Sequence, residues 1–324
     1  MDTKQTVLDY LAQHEGQWVS SKEIVTTLAV SRTAVWKAIK QLQEHHYQID
    51  SQTGKGYLYT PNATLSQTVI AQQIAPEWTL EVHDQIDSTN IRAKQLAAQP
   101  QMTPTIVVAN EQTTGYGRFG RHFYSPSQTG IYMSFLLPIG ERQLNPGKLT
   151  TGVAVAAANA IEQQYDVDVQ IKWVNDLVVN EHKVAGILSE AIADVESGTI
   201  SSVIVGIGIN IAPSDVVPAE LRRKVGALTS LTQLDRNKTV VNVIQAVTAL
   251  LKNEDHHAIM DEYRRRCFVI GQRVQVRIGK RELDGVVQTI DDDGALQLQT
   301  KTGRQMVGAG EITKLNLKDG GYRG

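Results

Sequence analysis

The sequence is poor in cysteine and has no long apolar run. Only one of its 324 residues is a cysteine, Cys267, which excludes an internal disulfide and suits a reducing compartment. Cys267 follows three arginines, but no cysteine-protease signature surrounds it, so we expect a packed thiol. No apolar run approaches the roughly 20 residues of a membrane-spanning helix. The N-terminus also has no secretory signal pattern, and we therefore expect a cytoplasmic protein with no membrane partner.

The sequence also has no large excess of positive or negative charge. The chain has 32 lysines and arginines against 34 aspartates and glutamates, a formal net charge of −2. This balance excludes a protein that binds nucleic acid over its whole surface, so any DNA binding must come from a local patch. The length predicts one large domain or two to three smaller ones.

The first 62 residues have the pattern of a winged helix-turn-helix. Three short helices are predicted, the second beginning at Ser20 with an S-x-x-E capping box and the third capped by Ser31. Two short strands around the glycines at 54 and 56 follow, and the segment 60–62 marks a boundary. We assign residues 1–62 to this domain and residues 63–67 to a linker.

The rest of the chain predicts an α+β fold. Between residues 68 and 268, helical and strand patterns alternate, and several strands follow one another with no helix between them, which favours a mixed sheet. From residue 269 to 324 the pattern is all β, with a tight turn at 291–294. We assign residues 68–268 to a catalytic domain and residues 269–324 to a small SH3-like β-barrel.

The third helix carries the candidate DNA-binding residues. In a winged helix-turn-helix this helix enters the major groove, and the wing reaches a backbone phosphate. No acidic residue occurs between Glu23 and Glu44. The candidates are Ser31, Arg32, Thr33, Lys37 and Lys40 on the helix and Lys55 at the wing. The alternative is a helical protein-interaction domain whose charges are only solvated.

A glycine-rich segment at 111–121 is the most informative part of the chain. Gly115, Gly117 and Gly120 satisfy the G-x-G-x-x-G pattern, but a dinucleotide-binding fold requires a helix directly afterwards. A polar run containing Pro126 follows instead, so we reject a dehydrogenase. A glycine loop carrying Arg118 and Arg121 can instead approach phosphates closely and close over a ligand.

Three further segments and a strand accompany this loop in a fixed order. They are D-S-T-N at 87–90, K-W-V-N-D at 172–176, K-V-A-G-I-L at 183–188 and G-I-G-I-N at 206–210. Together they closely resemble the biotin–protein ligases. With the N-terminal winged helix, the whole chain is similar to the bifunctional members of that family, which are also repressors of biotin genes.

The resemblance implies a two-step reaction. Biotin and ATP, with Mg²⁺, would give biotinyl-5′-AMP and pyrophosphate, and a lysine of a biotin carboxyl carrier protein would then displace AMP. It makes Lys183, Asp176 and Arg118 the catalytic candidates. The implied biotin and adenylate contacts are Ser88, Thr89, Asn90, Gln112, Gly115, Tyr116, Gly117, Arg118, Lys183, Gly186, Asn175 and Asn210.

Two positions depart from the family pattern, and two other functions stay open. The family usually has arginine where this chain has Tyr116, and proline where it has Val174. A lipoate-type ligase shares the fold and the adenylation step, and a repressor could sense biotin without catalysis. The fused domains favour biotin, and intact Lys183, Asp176 and Arg118 favour catalysis.

The resemblance also implies regulation. Biotinyl-5′-AMP would order the glycine loop and induce a homodimer that binds two-fold operator DNA of biotin synthesis and uptake genes. No structural metal site is expected, since His45-His46 and His256-His257 are adjacent pairs without the i, i+4 spacing of helical ligands.

Overall fold

The computed structural model describes residues 3–44, 47–60, 64–139, 146–194, 199–214, 217–218, 221, 224–229, 235–253 and 255–315. Its N-terminal part contains the predicted helices and hairpin. They are α1 (Thr3–Gln13), α2 (Ser21–Leu28), α3 (Arg32–Glu44), β2 (Gln48–Gln52) and β3 (Gly56–Thr60). A two-stranded wing was predicted, but a short strand β1 (Trp18–Val19) also pairs with β3. His45 and His46 lie outside the described residues.

Both predicted helix caps are confirmed. The Glu23 N–H donates to Ser20 Oγ at 3.1 Å, and the Ala34 N–H donates to Ser31 Oγ at 3.1 Å. Each bond satisfies one of the backbone donors left open at a helix start. The helices and hairpin enclose a core of their own, separate from the rest of the chain. Its buried members include Val7, Leu11, Ile24, Val35, Ile39, Leu42 and Tyr59.

Asn237 fixes the segment that follows the wing to the central part of the chain. The Asn237 side-chain amide donates to the Thr64 carbonyl, and its oxygen accepts from the Ser66 N–H, both at 2.8 Å. Ser66 is the N-cap of the short helix α4 (Gln67–Ala71). Pro61 and Asn62, at the predicted domain boundary, lie outside the described residues.

The central sheet has seven strands and is mixed, as the sequence predicted. The strands are β4 (Thr79–Ile86), β5 (Thr105–Gln112), β6 (Gly130–Pro138), β7 (Gln170–Lys172), β8 (Asp176–Val179), β9 (His182–Ala193) and β10 (Ile200–Asn210). Their order is β4-β5-β6-β10-β9-β8-β7. Only β4 and β5 pair in parallel among these strands.

Helices cover the two faces of this sheet unequally. The helix α5 (Thr89–Ala97) packs on one face with a small core around Ala93, Leu136 and Ile204. The main core lies on the other face, beneath α6 (Pro146–Tyr165), α7 (Arg236–Lys252) and α8 (His256–Arg266). Because side chains alternate along a strand, residues adjacent to these core positions point toward the α5 face.

Cys267 is the packed thiol expected from the sequence. It is buried directly after α8, and burial raises the pKa of its thiol to about 12. The preceding arginines do not produce a thiolate, because they bind carboxylates instead. Arg266 is buried and contacts Glu162 and Glu262.

The C-terminal strands form a five-stranded antiparallel sheet that shares the main core. The strands are β11 (Arg273–Ile278), β12 (Arg281–Ile290), β13 (Leu296–Thr300), β14 (Gly303–Val307) and β15 (Glu311–Leu315), in the order β14-β13-β12-β11-β15. The predicted turn at 291–294 is confirmed, with the Asp291 N–H donating to the Ala295 carbonyl at 2.9 Å. Among the described residues, no helix is both long enough and apolar enough to cross a membrane.

Candidate active site and nucleic-acid interface

A cavity of about 310 Å³ opens at the N-terminal end of α5. This volume is at the lower end of the range for small-molecule sites. Most of the candidate ligand-binding residues line it. They are Ser88, Thr89, Asn90, Gln112, Tyr116, Gly117, Arg118, Asn175, Asp176, Lys183 and Gly186.

Three glycines of β9 and β10 make room for functional side chains. A Cβ atom at Gly206 would lie 2.3 Å from Asn90 Oδ1, and one at Gly208 would lie 2.5 Å from the Phe123 ring. A Cβ atom at Gly186 would lie 3.2 Å from Lys183 Nζ. Gly206 and Gly208 alternate with the core residues Val205 and Ile207, so the cavity lies on the face opposite the main core.

A hydrogen-bond network fixes the residues that begin α5. The Thr89 N–H donates to Gln112 Oε1 at 2.8 Å, and Gln112 Nε2 donates to Ser125 Oγ at 2.8 Å. Ser134 Oγ lies 2.7 Å from Thr89 Oγ1 and 2.5 Å from Asn90 Oδ1. Gln112 therefore joins the helix to the returning end of the glycine loop, and the Asn90 amide has a defined orientation.

Lys183 and Asp176 form an ion pair inside the cavity. Lys183 Nζ lies 2.6 Å from Asp176 Oδ1, and both side chains are partly buried. In the strand register Lys183 of β9 lies opposite Val178 and Gly186 lies opposite Asp176 of β8, so the missing side chain at Gly186 leaves room for Lys183 to reach Asp176. The pair places a cation and a proton acceptor at one point of the cavity.

Lys172 is a cavity residue that the sequence interpretation did not select. It lies opposite Asp176 on β7 and is buried. Burial lowers the pKa of Lys172 to about 8, although the Asp176 carboxylate acts in the opposite direction. Its position in the K-W-V-N-D segment was a signal for it. With Arg118, Lys183 and Lys224 it makes the cavity rich in cations, as binding of a polyphosphate requires.

The glycine loop crosses the cavity and contacts the C-terminal sheet. Arg118 Nη1 lies 3.4 Å from Asn175 Oδ1, and Arg118 Nη2 donates to the Gly310 carbonyl at 2.8 Å. Burial lowers the pKa of Arg118. Arg121 forms an ion pair with Glu311, which also lines the cavity. No local sequence signal indicated these contacts, because the partners are about 190 residues apart.

No helix follows the loop within the described residues 121–129, in agreement with the rejection of a dinucleotide-binding fold. Gly115 is placed at the base of the loop and does not line the cavity. A Cβ atom there would lie 2.7 Å from Ser125 Oγ and 2.8 Å from Gln112 Nε2. Glycine at 115 therefore allows the close packing that shapes the loop.

Asn210 is separated from the other candidates. It lies at the end of β10 and lines a second cavity of about 420 Å³, together with His182 and Pro213. Trp173 is buried and lines the first cavity, and its Nε1 donates to the Gly294 carbonyl at 3.0 Å. It supports the wall, as expected.

Of the two positions that depart from the family pattern, Tyr116 lines the cavity, and Val174 lies between the lining residues Trp173 and Asn175. The Tyr116 hydroxyl donates to Glu190 Oε2 at 2.8 Å, and Lys94 Nζ lies 5.4 Å from the centre of the Tyr116 ring. The peptide bond before Val174 is cis, and the Val174 carbonyl accepts from the Tyr263 hydroxyl. Glu190 was not selected from the sequence, since nothing near it in the chain marks it.

The candidate DNA-binding residues are all exposed. Ser31, Arg32, Thr33, Lys37 and Lys40 lie along α3, and Lys55 lies at the turn between β2 and β3. The sequence interpretation overlooked Trp36, which is 55% exposed with Lys40 Nζ 5.6 Å from its ring centre. An exposed tryptophan between Arg32 and Lys40 on one helix face adds an apolar contact to a cationic surface.

Comparisons with known proteins agree with this arrangement. The model of the Biotin/lipoate A/B protein ligase family matches residues 82–210, that of an HTH domain residues 3–58, and that of the Biotin protein ligase C terminal domain residues 269–315. The chain is 32% identical to the bifunctional ligase/repressor BirA of Bacillus subtilis, over 95% of this chain and 98% of that protein.

Two further relatives match the ligase part. The biotin–[acetyl-CoA-carboxylase] ligase of Paracoccus denitrificans is 31% identical over 70% of this chain and 96% of its own length. The structure of the Aquifex aeolicus biotin protein ligase in complex with biotin and ATP is similar with a TM-score of 0.61. Its sequence identity is 26%, covering 74% of this chain and 98% of that one.

Proposed function

Because this chain belongs to the family of bifunctional biotin–protein ligases and repressors, we propose that the first cavity carries out both steps of biotin transfer. The observation that carries this proposal is the Lys183–Asp176 pair, set among further cations in a cavity beside the Asn90 network. The α5 end of the cavity, with Ser88, Thr89 and Asn90, receives the biotin ring. Lys183 and Arg118 face the carboxylate and the phosphates.

In the first step a carboxylate oxygen of biotin attacks the α-phosphorus of ATP, and the bond to the β-phosphate breaks. Attack of one anion on another requires positive charge nearby, which Lys172, Lys183 and Arg118 provide. Mg²⁺ usually binds through one or two carboxylates and the substrate phosphates. Asp176 is the carboxylate that fits this role, and the ion would neutralise charge on the leaving pyrophosphate.

In the second step the amine of an acceptor lysine attacks the carbonyl carbon of biotinyl-5′-AMP, the mixed anhydride bond breaks, and AMP leaves. The amine must lose its proton to attack, and Asp176 accepts it. The acceptor is a biotin carboxyl carrier protein, and the reaction takes place in the cytoplasm. Gly310 and Glu311 of the C-terminal strands complete the wall of the site, and we assign these strands, β11 to β15, an SH3-like barrel fold.

Mass spectrometry of a purified carrier domain tests this function. The domain is incubated with the protein, biotin and MgATP, beside a Lys183→Ala variant. We expect one biotin added by the wild type and almost none by the variant. No addition with biotin binding intact would indicate a repressor that senses biotin without catalysis. Absence of biotin binding would indicate a lipoate-type ligase.

The N-terminal domain binds operator DNA as part of a ligand-induced dimer. The exposed cationic face of α3 supports this proposal. Because its charge is modest, a monomer would bind DNA weakly, which favours two copies on a two-fold site. Biotinyl-5′-AMP acts as the corepressor. Sedimentation with and without biotin plus MgATP should show a monomer becoming a dimer. An unchanged monomer at micromolar protein with adequate ligand would contradict this proposal.

A further inference from the structure

Glu190 connects the biotin end of the cavity to the glycine loop. Its Oε2 accepts from Asn90 Nδ2 at 3.0 Å and from the Tyr116 hydroxyl at 2.8 Å, while Oε1 accepts from Lys94 Nζ at 2.8 Å. The Glu190 side chain is 25% exposed. One carboxylate of β9 thus holds a residue of α5 and a residue of the loop at the same time.

The loop has side-chain contacts on both sides of the cavity. Toward the C-terminal sheet, Arg118 donates to the Gly310 carbonyl and Arg121 pairs with Glu311. Toward β9, the side-chain hydrogen bond is that of Tyr116 to Glu190. At the base, the Thr114 N–H donates to the Asp87 carbonyl at 2.9 Å. Loss of the Tyr116 bond would leave the loop fixed at its base and on one side.

We propose that Tyr116 is a positioning residue that holds the glycine loop across the cavity through Glu190, and that this contact sets how long biotinyl-5′-AMP stays bound. The proposal rests on the adenylation activity proposed above. A hydrogen bond to a carboxylate is stronger than one between neutral groups. The Lys94 ammonium, over the Tyr116 ring and bound to Glu190, keeps the two partners together.

The contact acts on release of the intermediate more than on its formation. Lys183, Asp176 and Lys172 lie on strands of the sheet and keep their positions without it. The loop, in contrast, must move for the adenylate to leave. A weaker contact therefore raises the dissociation rate of the adenylate by a larger factor than it slows adenylation, in which Arg118 is the participating cation of the loop.

The test uses the full chain and labelled biotin. Biotinyl-5′-AMP is formed on the protein from labelled biotin and MgATP, free label is removed, and loss of bound label is followed during a chase with unlabelled biotin. Pyrophosphate release in a single turnover gives the formation rate. A wild type that forms no adenylate would refute the proposed function itself, before the role of Tyr116 comes into question.

Tyr116→Phe removes the hydroxyl and keeps the ring, and we expect it to speed adenylate release about tenfold and to slow adenylate formation by a smaller factor. Tyr124→Phe is the matched control, because it removes a hydroxyl from the same loop outside the cavity, and its release rate should equal that of the wild type. Tyr116→Arg should release the adenylate as slowly as the wild type does, since a guanidinium can donate to the same carboxylate.

A double-mutant cycle separates this contact from a general effect on the loop. In a Glu190→Gln background, Tyr116→Phe should change the release rate by less than about threefold, because its charged partner is already gone. Release from Tyr116→Phe within about twofold of the wild type would overturn the proposal. An equal acceleration by Tyr124→Phe would overturn it as well.

Discussion

Gly206 lies at the floor of the cavity, directly against the Asn90 amide. A methyl group in its place would come within 2.3 Å of Asn90 Oδ1, a distance that real Cβ atoms do not tolerate. Asn90 is held on its other sides by Ser134 and Glu190, so it cannot move without breaking these hydrogen bonds. The geometry of the biotin end of the cavity thus depends on glycine at one strand position.

We expect Gly206→Ala to raise the KM for biotin at least about tenfold, since it displaces Asn90, to which we assign a contact with biotin. Steady-state biotinylation of a carrier domain at varied biotin gives this constant. Gly308→Ala is a suitable control, because a Cβ atom at this exposed glycine meets nothing within 4 Å. A KM for the Gly206 variant equal to that of the control would contradict the role given to Asn90.

The lowered pKa of the buried Lys172 leads us to expect that the rate of adenylation depends on pH. Burial lowers its pKa from the ordinary 10.5 to about 8, so the ammonium is present below about pH 8 and is lost above it. If this charge stabilises the phosphates in the first step, as proposed above, the single-turnover adenylation rate should fall as the pH rises from 7 to 9.5. In Lys172→Arg, which stays charged, the fall should disappear. A flat wild-type profile would argue against Lys172 as a phosphate contact.

The lowered pKa of Lys172 also makes the stability of the protein depend on pH. The native state binds fewer protons than the unfolded state between about pH 8 and pH 10.5, because the pKa of Lys172 is lowered on folding. The contribution of Lys172 to the free energy of unfolding therefore becomes more favourable as the pH rises through that window. Burying a cation costs stability at neutral pH, which is typical of a functional site.

At the scale of elements, α3 presents its apolar and polar sides to different partners. Val35, Ile39 and Leu42 are buried in the N-terminal core. Trp36 and Lys40, on the opposite side, are exposed, and the Lys40 ammonium lies over the Trp36 ring. A tryptophan can contact thymine methyl groups in the major groove, whereas lysine contacts phosphates.

Trp36→Ala and Lys40→Ala should therefore differ in their effects on DNA binding. For a duplex selected by the wild-type protein from a random pool, we expect Trp36→Ala to weaken binding about tenfold and to leave non-specific binding almost unchanged. Lys40→Ala should weaken both and reduce the salt dependence by about one charge. Fluorescence anisotropy at several salt concentrations measures both. Equal losses on selected and random duplexes with Trp36→Ala would contradict a role in reading sequence.

At the scale of the whole molecule, the part of the chain that the structure describes has two large hydrophobic cores. One lies within the N-terminal helices and wing, and the other is shared by the central sheet and the C-terminal strands. Within the region of the second core, Gly310 and Glu311 contact Arg118 and Arg121 of the glycine loop. The proposed ligase site therefore includes the C-terminal strands, while the N-terminal domain has a core that can be weakened separately.

Two matched substitutions test this separation. Ile24 and Ile161 are both fully buried, one in each core, and truncation of such a side chain costs about 3 kcal/mol. Ile24→Ala should abolish DNA binding at a lower temperature and leave carrier biotinylation within about twofold of the wild type. Ile161→Ala should lower the temperature at which ligase activity is lost. Parallel loss of both activities in the Ile24 variant would contradict independent cores.

The sequence by itself determined the local features of this protein. The helix starts at Ser20 and Ser31 follow from capping within three residues, and the mixed sheet follows from strand patterns with no intervening helix. Lys183, Asp176 and Asn90 were found because they belong to short segments that occur in a fixed order. Each of these signals lies within a short stretch of sequence, so it can be identified without the fold.

Only the tertiary structure decided which distant residues meet. Glu190 binds Tyr116 and Asn90 from 74 and 100 positions away, and Arg118 contacts Gly310 192 positions away. The order of the central sheet, with β10 between β6 and β9, determines where Glu190 lies, and the packing of the C-terminal strands determines where Gly310 lies. Asn210 was grouped with the first cavity from its motif, yet the structure places it in the second. Asn210 lies on the same face of β10 as Gly206 and Gly208, but at the end of the strand, so residues of one motif reach different cavities along the length of a strand.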